Sequence, residues 1–202
     1  MSKPVMEVRK FDLAPEVRAG DDGSPRIVGY AAVFDSLSDD LGGFQERISV
    51  GAFTRALRDK PDVRALINHD PNLILGRTKS GTLTLAANQK GLLYTVDPPD
   101  TQYARDLQAS MKRGDVDQSS FAFRTVKDEW NVENGIPTRT LLDVDVFDVS
   151  VVTYPAYPDT ESSLRSVQHA LESFARWREE ARPKGIPVDL TRRMMRLLEL
   201  ID

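Results

Sequence analysis

Short runs of alternating apolar and polar residues fill most of the chain between residues 5 and 153, with turn residues between them. Side chains two positions apart on a strand share a face, so this alternation predicts half-buried strands joined mainly as antiparallel neighbours. Two helices are predicted among the strands, over residues 50–58 and 101–112, where apolar residues recur at helical spacing. The pattern therefore predicts an α+β fold of mostly antiparallel strands with a few helices.

The pattern becomes helical after residue 162. Residues 162–182 carry one apolar stripe, and residues 191–201 form a second, shorter amphipathic segment. We therefore predict a domain over residues 1–162 and a helical C-terminal tail over residues 163–202. The tail can pack on the domain, pair with another subunit or bind a scaffold, and packing is favoured for its first helix.

Composition excludes several kinds of chemistry. The 202 residues suffice for one domain with an appendage, and the net charge of −4 gives no indication of nucleic-acid binding. The chain has no cysteine and only two histidines, far apart, so no thiolate nucleophile, metal site or other cofactor is expected. No apolar run approaches the ~20 residues of a membrane span, and the N-terminus lacks a signal-peptide segment. We expect a soluble protein made in a cytosol.

A pair of serines stands at the start of one predicted strand. Alternation places Ser119 on the aromatic face with Phe121 and Phe123, whereas Ser120 and Ala122 share the small face. That small face leaves room beside the backbone for a substrate. Serines at strand starts are usually only polar ends, so Ser120 becomes a candidate nucleophile only if suitable partners exist elsewhere.

Two other predicted strands each offer one polar group. His69 continues the apolar row that contains Ile67, and Asp148 shares strand parity with Val146. Burying even an uncharged polar group without a hydrogen bond costs roughly 2–7 kcal/mol, and a histidine N–H is a suitable partner for a carboxylate. Together with Ser120, these residues supply a hydroxyl nucleophile, a general base and an orienting acid.

The orienting acid has alternatives. Asp70 and Asn68 flank His69 and can orient it instead of Asp148, although both residues are also typical of a turn before Pro71.

Several short motifs follow one another in a distinctive order: residues 29–34, 48–53, 68–70 with 75–76, 120–123 and 148–157. Over about residues 5–165 they resemble the prohead proteases of tailed phages with the HK97-type capsid, which are distantly similar to herpesvirus assemblins. Three positions differ from the common family pattern: Ser119 replaces Met, Ala122 replaces Gly, and Asp148 replaces Glu. Assemblins use a second histidine, but His169 lies outside the matched core and is interpreted as a surface or interface residue.

This resemblance implies a herpesvirus-protease-like β-barrel and a serine endopeptidase in which Ser120 attacks, His69 is the base and Asp148 orients it. The implied substrates are the scaffold, the N-terminal segment of the major capsid protein and the enzyme itself, cleaved inside the assembling procapsid in the host cytoplasm. The loop at residues 154–158 either supplies backbone amides to an oxyanion hole or only covers the end of the barrel.

Two other function classes compete with the protease. One is a non-catalytic capsid-assembly module with a protease-like fold, in which the tail binds capsid protein. The other is an esterase that uses the same three residues, although no Gly-x-Ser-x-Gly motif is present. Homo-oligomer formation is compatible with either class, and no nucleic-acid or membrane partner is expected.

Overall fold

A computed structural model describes residues 6–153, 161–181 and 196, with the side chains of the last helix described over residues 167–180. The described strands are β1 (Glu7–Phe11), β2 (Glu16–Ala19), β3 (Pro25–Val33), β4 (Gln45–Ile48), β5 (Arg64–Ile67), β6 (Asp70–Arg77), β7 (Leu83–Ala87), β8 (Gly91–Val96), β9 (Gln118–Glu133) and β10 (Ile136–Val152). The described helices are α1 (Thr54–Arg58), α2 (Gln102–Arg113) and α3 (Glu161–Ala181). The predicted α+β class is therefore confirmed.

The strands form two sheets. The larger sheet has the order β1-β9-β10-β5-β6, and β4 also pairs with β10; the smaller has the order β2-β3-β8-β7. Most pairs are antiparallel, as predicted, but β10 pairs in parallel with both β4 and β5. Within the described residues no strand pairing joins the two sheets, so the predicted closed β-barrel is not confirmed.

Local signals identified several elements correctly. Helix α2 follows Thr101 and ends at Gly114, whose left-handed φ of 82° suits a glycine. Asn134 and Gly135 form the tight turn that this pair favours, with φ values of 52° and 80°, whereas the longer loop suggested by Ile136 and Pro137 is wrong because both belong to β10. The alternation also predicts a hairpin of residues 5–13 with residues 26–34, which is wrong: β1 pairs with β9 in the larger sheet, whereas β3 pairs with β2 and β8 in the smaller one.

One apolar cluster contains residues from both sheets and from α2, and Leu57 of α1 packs against it. Phe121 and Phe123 of β9 are fully buried in it, with their ring centroids 4.7 Å apart. Phe53 meets Phe121 edge to face at 5.7 Å, which brings the segment before α1 against the same strand. The aromatic face of β9 is therefore its core face, as the alternation predicts.

Helix α3 packs on the larger sheet through a second apolar cluster. The rings of Trp130 and Phe174 lie 5.1 Å apart, and Ala170 and Leu171 are fully buried beside them. Ser173 of α3 donates a hydrogen bond to a carboxylate of the sheet, Asp128 Oδ2, at 2.9 Å. The first tail helix thus contacts the sheet directly, whereas the predicted helix at residues 191–201 lies outside the described residues except for 196. The division at residue 162 stays a prediction.

A buried ion cluster joins four strands of the larger sheet. The fully buried Arg139 of β10 binds Glu7 of β1 at 2.7 Å, Glu46 of β4 at 3.0 Å and Asp128 of β9 at 2.7 Å. Arg9 forms a second bridge to Glu46 at 2.8 Å. Burial opposes ionisation of Glu7, but the Arg139 charge and the other partners outweigh it and hold the pKa of this carboxyl far below its ordinary range. The cluster therefore links β1 and β4 to the central strands.

Replacing Arg139 is expected to destabilise the fold strongly. In Arg139→Met the buried carboxylate of Glu7 loses its main partner and Glu46 keeps Arg9 alone of its two arginines, which costs about 3–5 kcal/mol in the free energy of unfolding. Urea denaturation measures this change. The matched control is Arg18→Met, whose ion pair with Glu16 is exposed and which we expect to change stability little. Equal losses in the two variants would contradict a structural role for the cluster.

Acid is expected to weaken the fold through Glu7. The unfolded carboxyl takes up a proton as the pH falls through 4.5, whereas the folded one stays ionised. The unfolded state then binds more protons, so this contribution to stability is complete above pH 4.5 and is lost as the pH falls toward the lower folded pKa. Below pH 4.5, Glu7 therefore adds up to about 1.4 kcal/mol per pH unit to the dependence of the free energy of unfolding on pH. Urea denaturation at several acidic pH values should show that the free energy of unfolding of Glu7→Gln depends less steeply on pH. An unchanged dependence would contradict the lowered pKa of Glu7.

Candidate active site

The register of β9 against β10 places several polar groups on one face of the sheet. Ser120 is the cross-strand partner of Ser150, and Ala122 is the partner of Asp148. Partners in an antiparallel pair share a face, so these side chains lie together, opposite the core face that carries Phe121. The small face expected for Ser120 and Ala122 is therefore also the face of Asp148.

Asp148 reaches this face through a β-bulge. Val146 pairs with Phe123 on the core face, and Asp148 pairs with Ala122, so Phe147 is an extra residue between them. Phe147 is 37% exposed, whereas Val146 is buried. The predicted shared parity of Asp148 with Val146 is therefore wrong, because the bulge moves Asp148 to the opposite face.

His69 lies in the turn between β5 and β6. Asn68 and His69 have φ values of 52° and 58°, and the flanking residues Ile67 and Asp70 pair with each other. Two consecutive left-handed residues are the requirement of the tightest hairpin turns, and Asn and His tolerate this conformation better than most residues. The prediction that His69 continues the row of Ile67 is wrong, because the turn takes it out of the strand while Ile67 packs in the core.

Asn68 ties this turn to the end of β10. Its backbone N–H donates to the carbonyl of Val151 at 3.0 Å, and its side-chain Oδ1 accepts the N–H of Thr153 at 3.0 Å. Asp70 instead closes a local turn, because its Oδ1 accepts the backbone N–H of Asn72 at 2.8 Å. Asp70 therefore stabilises its own turn, whereas the carboxylate beside His69 is that of Asp148.

The three predicted residues meet in one hydrogen-bonded line. His69 Nδ1 lies 2.6 Å from Asp148 Oδ1, and His69 Nε2 lies 2.8 Å from Ser120 Oγ. With the imidazole proton on Nδ1, His69 donates to the carboxylate and presents the lone pair of Nε2 to the hydroxyl. This geometry allows the imidazole to take the hydroxyl proton, which is how a serine becomes a nucleophile.

Two further groups touch this line, and sequence reasoning missed both. Ser150 Oγ lies 3.0 Å from Asp148 Oδ1, and the backbone carbonyl of Arg9 accepts a hydrogen bond from Ser120 Oγ at 3.0 Å. Ser150 follows Asp148 by two positions, which is the signal that could have identified it. The Arg9 carbonyl could not be found in this way, because it depends on the unpredicted pairing of β1 with β9.

The other candidate residues lie elsewhere. Ser119 is fully buried on the core side, where its hydroxyl lies 2.9 Å from the hydroxyl of Tyr94. Burial raises the pKa of Tyr94, so both groups stay neutral. His169 is 28% exposed and its Nδ1 lies 3.5 Å from a carboxylate oxygen of Glu7, in the ion cluster. Among the described contacts, His69 is therefore the histidine that reaches Ser120, and Ser119 and His169 have other partners.

The described part of the chain contains neither a cluster of metal ligands nor a membrane-spanning helix. The described residues contain no group of three or more His, Asp or Glu side chains placed to hold a metal ion. No described helix is both long and apolar enough to cross a bilayer. The loop at residues 154–158, expected either to supply oxyanion donors or to cover the end of the barrel, lies outside the described residues.

Comparisons with known proteins agree with this fold. The family profile described as Caudovirus prohead serine protease matches residues 12–173. The prohead protease of Enterobacteria phage HK97 is 32% identical over 158 residues, which cover 75% of this chain but only 65% of that protein, less than two thirds of its length. The bacteriophage T4 capsid assembly protease shares the fold, with a TM-score of 0.53 and 11% identity over 76% of this chain and 100% of that one. The match to the family profile spans most of the chain, which therefore belongs to the caudovirus prohead serine protease family.

Proposed function

We propose that this protein is a serine endopeptidase that matures the phage procapsid. The observation that carries the proposal is the imidazole of His69, which lies within hydrogen-bond distance of both Ser120 and Asp148. Ser120 and Asp148 are 2% and 7% exposed, so their charge and proton interactions are little screened by water. A buried hydroxyl, a half-buried imidazole and a buried carboxylate in this order supply what acyl transfer to serine requires.

The proposed reaction begins with the hydroxyl of Ser120. Its oxygen attacks the carbonyl carbon of a peptide bond while His69 Nε2 takes the proton, and Asp148 stabilises the imidazolium that forms. The C–N bond then breaks, the leaving amine receives the proton from Nε2, and an acyl-enzyme remains. Water attacks this ester by the same proton path and releases Ser120. In this proposal backbone amides hold the oxyanion, each typically supporting about 10²–10³ in rate.

The hydroxyl of Ser120 has one proton and two acceptors. The Arg9 carbonyl lies 3.0 Å from Ser120 Oγ, and His69 Nε2 lies 2.8 Å from it. Only the orientation that directs the proton to His69 prepares the oxygen for attack. The carbonyl of β1 therefore offers the resting hydroxyl an alternative, unreactive partner.

The proposed substrates are the scaffold, the N-terminal segment of the major capsid protein and the protease itself. Their cleavage would take place inside the assembling procapsid, in the host cytoplasm. In this proposal residues 1–162 form the protease domain, and residues 163–202 direct packaging through scaffold or capsid protein and contain a self-cleavage region. The membership of the chain in the prohead protease family supports this assignment.

The first test is co-expression with the major capsid protein of the same genome. The wild-type protein should remove an N-terminal capsid segment, and Ser120→Ala should remove none, because the variant has no attacking oxygen. Intact-mass spectrometry of the capsid protein measures the loss.

The matched control for this test is Ser119→Ala, which deletes the neighbouring buried hydroxyl on the core side and should leave cleavage intact. Cleavage by Ser120→Ala would refute the nucleophile. Capsids that form without cleavage by the wild-type protein would support the non-catalytic assembly module instead.

The second test concerns the orienting acid. In Asp148→Asn the amide can donate to His69 Nδ1, which moves the imidazole proton to Nε2 and removes the acceptor for Ser120. The kcat for a peptide that spans the capsid cleavage site should fall by about 10⁴, with a much smaller change in KM. Asp70→Asn is the matched control, because the Asp70 carboxylate caps a local turn. A large loss of kcat in Asp70→Asn, with little change in Asp148→Asn, would instead assign the orienting role to Asp70.

A further inference from the structure

Ser150 lies at the centre of the catalytic line although no step of the reaction uses it. It is 1% exposed and is the cross-strand partner of Ser120. Its Oγ lies 3.0 Å from Asp148 Oδ1 and 3.2 Å from His69 Nδ1, and it accepts the backbone N–H of His69 at 3.2 Å. One hydroxyl therefore contacts both residues that must act on Ser120.

The balance of hydrogen-bond donors and acceptors around Ser150 depends on the tautomer of His69. A serine hydroxyl has one proton and two lone pairs. When His69 carries its proton on Nδ1, that proton and the Ser150 proton both go to Asp148, while a lone pair of Ser150 takes the His69 backbone N–H. When the proton is on Nε2, the carboxylate and Nδ1 are both acceptors and Ser150 has only one proton for them. The environment of Ser150 therefore favours the Nδ1–H form.

The same hydroxyl also restrains the backbone of His69. This residue lies in a two-residue turn with a left-handed φ of 58°, so its side chain is not held by a strand ladder on both sides. The bond from its N–H to Ser150 fixes the turn to β10, beside the bond from the Asn68 N–H to the Val151 carbonyl. Small displacements of a base from its nucleophile are costly for the rate.

We propose that Ser150 is a positioning residue of the active site: its hydroxyl ties the backbone of His69 to the carboxylate of Asp148 and keeps the imidazole in the tautomer and orientation that Ser120 needs. This role rests on the proposed protease function. Ser150 acts through His69 and Asp148, which distinguishes it from the three residues assigned to the reaction.

The first experiment observes the tautomer directly. Protein labelled with ¹⁵N-histidine and carrying Ser120→Ala, to prevent self-cleavage, gives ring-nitrogen signals for its two histidines. His169→Gln identifies those of His69. The Nδ1–H form should dominate, should become a mixture when Ser150→Ala is added, and should return with Ser150→Thr. The matched control is Ser119→Ala, which removes an equally buried hydroxyl from the other face of the sheet and should not alter the signals.

The second experiment measures hydrolysis of a peptide that spans the capsid cleavage site. Ser150→Ala should lower kcat by about 10- to 100-fold, because the base is misplaced, and should change KM by less than about twofold. Ser150→Thr should recover most of the rate, and Ser119→Ala should keep the wild-type values. Thermal unfolding of each variant shows whether the folded fraction accounts for any loss.

These readouts separate the positioning role from the protease function. If Ser150→Ala keeps both the Nδ1–H form and the wild-type kcat, the positioning role is overturned. A folded Ser150→Thr protein as slow as Ser150→Ala also overturns it, because the hydroxyl would be present without effect. If the wild-type protein cleaves no peptide but the tautomer still shifts in Ser150→Ala, the positioning role stands and the proposed protease function fails.

Discussion

The antiparallel ladder between β9 and β10 holds both polar centres of the molecule in place. Close to its Gln118 end it sets Ser120 opposite Ser150, and nearer the turn it brings Arg139 into the ion cluster. A slip of one residue would exchange the two faces of a strand and send the aromatic row of β9 away from the core. Burial of Phe121 and Phe123 therefore also fixes the register on which the hydroxyl, imidazole and carboxylate depend.

Features of the fold with a local cause were predictable from the sequence. Helix α2 has an apolar stripe and a terminal Gly114, and the turn between β9 and β10 has an Asn-Gly pair. Pairing between distant strands has no such local signal. Alternation and turn residues pair the first strand with residues 26–34, whereas β1 joins β9. Closure into a barrel was expected from family resemblance, and the described strands form two separate sheets.

The residues of the site were predicted through their chemistry better than through their geometry. His69 was selected because the chain has only two histidines, and Asp148 because a carboxylate in an apolar strand requires a partner. The structure brings both to Ser120, but strict alternation gave the wrong face for each. A left-handed turn moves His69 and a bulge moves Asp148, and both change the periodicity without a clear mark in the sequence. Ser150 was missed because its position depends on the same register.

Strand β1 lies before residue 12, at which the match to the family profile begins. This strand nevertheless gives Glu7 to Arg139 and a backbone carbonyl to Ser120. The part of the chain that the family profile matches therefore lacks a strand on which the sheet depends. A protein trimmed to residues 12–173 would expose the edge of β9 and leave a buried arginine short of a carboxylate, so the boundaries of this domain should be drawn from strand pairing as well as from sequence similarity.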